Sequence, residues 1–189
     1  MPYKIKEGPG GKPKIEFEYM HEDIELSAVE CTAAILKKMK KIADEKLNTP
    51  VSNAVITVPA GFTHLQRQET HKAACLAGFS GIRIMHQPTA AAIVYANLNI
   101  CEEKTYTKVC VFNMGGTSID ISIIQIEDDL VTVKASDGDP FCGGEDFDNV
   151  LVTHLLKEFE KSTKKDVSQD ARARIRLHKA AEKAKELLS

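Results

Sequence analysis

The sequence carries no excess of charge of one sign. Its 25 lysines and arginines stand against 27 aspartates and glutamates, so net charge favours neither nucleic acid nor an anionic membrane as a partner. Long hydrophobic runs are missing too. No stretch approaches the roughly 20 apolar residues that cross a bilayer, and the opening Met1-Pro2-Tyr3-Lys4-Ile5-Lys6 has no apolar run of the signal-peptide kind. The expected compartment is the cytoplasm, with the nucleus also open to such a chain. There is no C-x-x-C pair. Cys31, Cys75, Cys101, Cys110 and Cys142 are odd in number and each sits in or beside an apolar segment, which argues against a disulfide framework or zinc site and for buried, reduced thiols. His64 and His71 share one predicted helix face, but no third ligand accompanies them and no metal site is assigned. Internal repeats and low-complexity tracts are absent as well.

What is present is the composition of an ordinary globular protein, 43% apolar and 28% charged over 189 residues, enough for one domain or two small lobes. The turn cluster Gly8-Pro9-Gly10-Gly11-Lys12-Pro13, followed by alternating Ile15-Glu16-Phe17-Glu18-Tyr19, predicts a hairpin with one wet face. Ser27 and Glu30 form a capping box, and Val29, Ala33, Leu36, Met39 and Ala43 recur at helical spacing to about Leu47. Ala54-Val55-Ile56-Thr57-Val58, stopped by Pro59, reads as a buried parallel strand. A second capping box, Thr63 with Gln66, opens a helix that ends at Gly78. Ile82-Arg83-Ile84-Met85 is a further strand, and Pro88 suits the first position of the helix through Ala92 and Val94.

Beyond the polar stretch Asn97 to Thr107 the pattern changes. Lys108 to Asn113, Ile119 to Ile123 and Leu130 to Ala135 read as an antiparallel meander, with Met114-Gly115-Gly116-Thr117-Ser118 at the first turn and Glu127-Asp128-Asp129 at the second. After Gly143-Gly144 come a helix bearing Phe147, Leu151, Leu155 and Phe159, and another from Ser168 onward with Ile175, Ala181 and Leu188. The break predicts two lobes meeting near residue 100, over 1–100 and 101–189.

The first hairpin tip is where chemistry concentrates. Adjacent glycines let a backbone approach a ligand closely and aim several N–H groups at one point, an anion-binding nest. Thr117 and Ser118 add hydroxyls, and Asp120 could act through water on a divalent cation. The same Gly-Gly pair also reads simply as a turn.

The runs Asn53-Ala54-Val55-Ile56-Thr57-Val58-Pro59-Ala60, Pro88-Thr89-Ala90-Ala91-Ala92-Ile93 and Gly143-Gly144-Glu145-Asp146-Phe147-Asp148-Asn149 resemble the nucleotide-binding (ATPase) domain of the heat shock protein 70 family, closest to eukaryotic cytosolic members. The resemblance covers essentially the whole chain and marks it as an internal fragment of that domain. It implies an α/β, actin-like ATPase fold of ribonuclease-H-like lobes, truncated to part of lobe I and the first part of lobe II. By the same resemblance Gly115, Gly116, Thr117 and Ser118 are a phosphate loop, while Gly144, Glu182, Lys185 and Ser189 surround the adenosine of ATP or ADP. From the residues alone, Gly143-Gly144 reads as a helix-start turn, and Glu182 with Lys185 as an exposed helical charge pair. The resemblance further implies that another phosphate loop, a catalytic lysine and lobe I's first strands precede residue 1, that a third glycine-rich segment follows residue 189, and that a peptide-binding domain is separate.

Several positions depart from the family's pattern. Asn113 stands where an aspartate is expected and Gln87 where a glutamate is; with Asp120 these are the residues matching the catalytic positions. An amide hydrogen-bonds water but takes no proton, and losing a positioned acid–base group costs ~10²–10⁴ in rate. Thr117 replaces the third glycine of the tip, Glu186 a basic residue that stacks on adenine, and Gly61 a tyrosine. The expectation is a chaperone-family, stress-response and protein-folding segment that binds ATP with Mg²⁺ weakly or not at all and is deficient in hydrolysis. The alternative is a non-catalytic module that binds a J-domain cochaperone or nucleotide-exchange factor without nucleotide. Apolar helix faces around Val29, Leu36 and Ile42 also predict a marginally stable, sticky chain.

Overall fold

The computed structural model describes residues 3–98, 107–127 and 130–188. Ser189, Cys101, Asp128, Asp129 and the expected lobe junction near residue 100 lie outside them. The chain divides into two compact units, Met1–Ala90 and Ala91–Ser189.

In the N-terminal unit the predicted hairpin is present and gains a strand. β1 (Lys4–Glu7), β2 (Pro13–Tyr19) and β3 (Glu22–Ser27) form an antiparallel meander. Tyr19 and Glu22 are register partners, so Met20 and His21 alone make the second turn, both at positive φ (53° and 67°). That is the backbone sign of a primed two-residue turn, here without glycine. α1 (Ala28–Leu47) begins where predicted: the Ser27 hydroxyl accepts from Glu30 N–H at 3.3 Å, and the Glu30 carboxylate accepts from Ser27 N–H at 2.8 Å. Asn48 in the left-handed region (φ 51°) ends it. Ala33 is buried on α1, whereas Met39 is 57% exposed and belongs to no core.

β4 (Asn53–Val58) and β5 (Gly81–His86) pair in parallel, linked by α2 (His64–Leu76). The second capping box is formed, Gln66 Oε1 accepting from Thr63 N–H at 2.8 Å, and Gly78 at φ 90° follows the helix end. Ala73 and Ala74 of α2 and Val58 of β4 are buried; His64 and His71 are exposed. α3 (Gln87–Asn97) starts one residue before Pro88.

In the C-terminal unit β6 (Thr107–Met114), β7 (Ile119–Glu127) and β8 (Leu130–Asp139) make the expected antiparallel sheet, with β8 running past Ala135. A register shift between Ile123 and Ile124 leaves an extra residue on β8. Burial alternates strictly along β7: Ile124 and Ile126 join Ala92 in a core flanked by Tyr95, Ala96, Val109, Val111 and Val131. The opposite sheet face exposes Cys110, Phe112 (62%) and Ile121 (40%). Cys75 is likewise exposed, and Cys31 and Cys142 are half-buried, so the expectation of fully buried thiols is corrected for all four described cysteines.

Two helices complete this unit, α4 (Gly144–Thr163) and α5 (Ala171–Leu188), packed on each other. Their inward faces differ from the apolar pattern. On α4 the buried residues are Asp148 and Val152, while Phe147 is 53% exposed. On α5 Ala181 is fully buried, but Ile175 and Leu188 point outward at 55% and 88% exposure.

Candidate functional site

The site is built on the β6–β7 hairpin. Asn113 pairs with Asp120 and Met114 with Ile119, leaving Gly115 to Ser118 as the tip. Gly115 N–H donates to Ser118 O at 2.9 Å and closes it. The tip then docks on the start of α4. Gly144 N–H donates to Gly115 O at 3.0 Å and Glu145 N–H to Gly116 O at 2.7 Å, so amides of the first helical turn are satisfied by tip carbonyls. The Asp146 carboxylate reaches back to Gly143 N–H at 2.8 Å. Gly143 is required by this contact: a Cβ there would stand 2.4 Å from Gly116 O and 2.5 Å from Thr117 N. Gly143-Gly144 is thus more than a helix-start turn.

The tip glycines themselves answer to no such demand. Neither Gly115, Gly116 nor Thr117 has positive φ, so Thr117 fits the tip without strain. A Cβ on Gly116 would meet nothing within 4 Å. Among the described residues, the N–H groups of Gly116 and Thr117 make no hydrogen bond. Two open amides beside a clear approach are the elements of an anion cradle.

Beneath the tip Asp120 is 5% exposed, and its Oδ2 has no hydrogen-bond partner. Gly138 lies opposite it on β8. A Cβ on Gly138 would fall 2.3 Å from Ile119 O and 3.2 Å from Asp120 Oδ1, so this glycine makes room above all for the β7 main chain and, less closely, for the carboxyl. Sequence reasoning missed Gly138, because Asp137-Gly138-Asp139 has the look of a turn rather than a strand. Asn113, half-buried, occupies the register position across from Asp120 on β6.

Lys185 comes from α5. Its ammonium donates to Gly144 O at 2.9 Å and to Asp148 Oδ2 at 2.8 Å, which brings it against the helix start that carries the tip. Lys185 is therefore engaged inward with Asp148 rather than standing as half of an exposed charge pair with Glu182, which remains exposed on α5. Asp148 is 3% exposed. The sequence signal that could have found it is its place four residues after Gly144, on the face that turns inward. Gln87 opens α3 in the N-terminal unit, and Ser189 lies outside the described residues.

The family profile described as "Hsp70 protein" matches residues 1–189. The chain belongs to the Hsp70 family. It is 44% identical over 188 residues to "Heat shock 70 kDa protein" of Neurospora crassa, a match covering 100% of this chain and 29% of the relative. It is 44% identical to "Heat shock 70 kDa protein" of Emericella nidulans, with 29% of that protein covered, and 43% identical to the "Ribosome-associated molecular chaperone SSB" of Candida glabrata, with 30% covered. In both cases the match again takes in 100% of this chain. The chain thus spans less than a third of the length of these Hsp70 relatives. Among the described residues no helix is long and apolar enough to cross a membrane.

Proposed function

We propose that this chain is a nucleotide-binding segment of a cytoplasmic Hsp70-type chaperone, with a reduced capacity to hydrolyse what it binds. In this reading its fold is the part of an actin-like ATPase that joins lobe I to the start of lobe II. The Gly116 and Thr117 amides cradle the phosphates of ATP or ADP, with Ser118 as a hydroxyl donor. Gly144, Glu182 and Lys185 line the nucleoside side.

One observation carries the reading. Gly116 is neither bent into the left-handed region nor crowded by the protein, so its lack of a side chain serves a group from outside. The buried Asp120 Oδ2 with no internal partner is the kind of oxygen that a Mg²⁺ ion or its water takes. When bound, that cation would neutralise phosphate charge. Asn113, the register partner of Asp120, offers a neutral amide instead, which orients a water without taking its proton. Slow turnover follows, with binding retained.

Titration calorimetry with ATP and Mg²⁺ on the wild type and Gly116→Val tests this. The expected result is binding by the wild type and its loss in the variant, with the same melting temperature for both. Binding that survives Gly116→Val would overturn the assignment of the tip. A second reading, cochaperone docking without nucleotide, is favoured by the exposed apolar sheet face at Phe112 and Ile121. Heat from a J-domain protein or an exchange factor, with none from ATP, would select it.

A further inference from the structure

A carboxylate is buried close to the hairpin tip, where α4 begins. Asp148 is 3% exposed, carries one oxygen without a hydrogen-bond partner, and spends the other on Lys185 at 2.8 Å. Burying a carboxylate is costly unless a cation compensates it. The pairing also has an effect outward. A Cβ on Gly144 would lie 3.2 Å from Lys185 Nζ and 3.8 Å from Gly116 Cα, so the ammonium stands within about 7 Å of the tip. At that separation a single uncompensated charge changes the attraction of an anion severalfold in affinity.

We propose that Asp148 sets the strength of the anion site: it holds the Lys185 ammonium on the Gly144 carbonyl and offsets its charge, so that phosphate is held chiefly by main-chain amides. This rests on the tip being an anion cradle. Asp148 is a positioning residue, acting on the ligand only through Lys185. The pair lets a ligand arrive and leave a site that an unpaired lysine would make stickier, and the lysine hydrogen-bonds Gly144 without adding net charge. A purely structural ion pair predicts otherwise: any change that broke it would loosen the α4 start and weaken binding.

The test uses inorganic tripolyphosphate as the probe, on the full chain, at low and high potassium chloride. Asp148→Asn keeps the shape and removes the charge. It is expected to bind the probe about three- to tenfold more tightly than the wild type at low salt, with a steeper loss as salt rises. Lys185→Gln is expected to bind correspondingly more weakly, and the double variant, neutral again, to return to within about twofold of the wild type. If the wild type binds and Asp148→Asn binds equally or less tightly, the inference falls while the cradle stands. If none of the proteins binds tripolyphosphate, the cradle itself falls and takes the inference with it. Should Asp148→Asn fail to fold, the double variant decides: affinity well below that of the wild type overturns the charge-compensation account.

Discussion

Replacing Gly143 with alanine attacks the joint between the hairpin tip and α4. Gly143 has φ −157°, extended backbone open to alanine, so the effect is one of contact. The new methyl would stand 2.4 Å from Gly116 O and 2.5 Å from Thr117 N, both main-chain atoms that no rotamer change can withdraw. Relief requires the tip and the helix start to separate by roughly 1 Å, since carbon–oxygen contacts below about 3.3 Å are repulsive. That stretches the bonds from Gly144 N–H to Gly115 O and from Glu145 N–H to Gly116 O, now 3.0 and 2.7 Å. Each is worth about 1 kcal/mol net, and residual crowding adds about 1 kcal/mol. A loss of about 3 kcal/mol corresponds to about 6–12 °C in melting temperature for a chain of this length.

Two controls bracket the effect. Gly116→Ala adds its methyl to open space and should melt within about 3 °C of the wild type. Gly144→Ala crowds at 3.2 Å a Lys185 ammonium that Asp148 and the Gly144 carbonyl hold in place, and should fall between Gly116→Ala and Gly143→Ala. Amide hydrogen exchange locates the damage, because the Gly144 and Glu145 amides should lose protection in Gly143→Ala alone. Wild-type protection at both amides, with an unchanged melting temperature, would refute the docking geometry.

Other consequences are open to direct measurement. Gly138→Ala places a methyl 2.3 Å from Ile119 O and should destabilise the C-terminal sheet by about 2–3 kcal/mol in urea unfolding. Met20 and His21, both left-handed, are poor residues for their turn; an Asn-Gly pair there should raise stability by about 1–2 kcal/mol, read from the same denaturation curves. The Val51 N–H and then the Lys40 ammonium hold the Asp44 carboxyl below its ordinary value of 3.8. A depressed folded value means that stability is present above about pH 4 and lost as pH falls further, and Asp44→Asn should flatten that acid limb. Thiol titration of the native protein should label Cys75 and Cys110 before Cys31 and Cys142, following their exposure.

What the sequence made legible was local. Each capping box is a pattern within four residues, satisfied by its own backbone, so Ser27 with Glu30 and Thr63 with Gln66 could be read without knowing the fold. Alternation likewise marked β7 as a strand but not its inward side: Ile121 and Ile123 face outward, while Asp120 and Ser122 are buried on the same side as Ile124 and Ile126. The helices were harder. Phe147 and Ile175 satisfied an apolar periodicity, yet the inward faces of α4 and α5 are set by Gly143 seated on the tip and by the Asp148–Lys185 pair. Both are long-range contacts that polar and glycine residues make, and hydrophobic counting passes over them. Gly138 escaped for the same reason: its meaning lies in the main chain of β7 across the sheet. The tip, by contrast, was visible as Gly115-Gly116 between alternating strands, although its seat on α4 was not.

The parallel pairing of β4 and β5 bears on how the N-terminal unit assembles. Asn53 meets Gly81 only after α2 has been laid down between them, so this ribbon must close a long loop before its first hydrogen bond is made, and it gains few bonds in return. The β2–β3 turn and the two capped helices need only neighbours in the chain. Folding should therefore start in the meander and where α1 meets α2, with the ribbon zipping last. Slow refolding phases would then report on residues 53–58 and 81–86, even though these read most plainly as strands in the sequence.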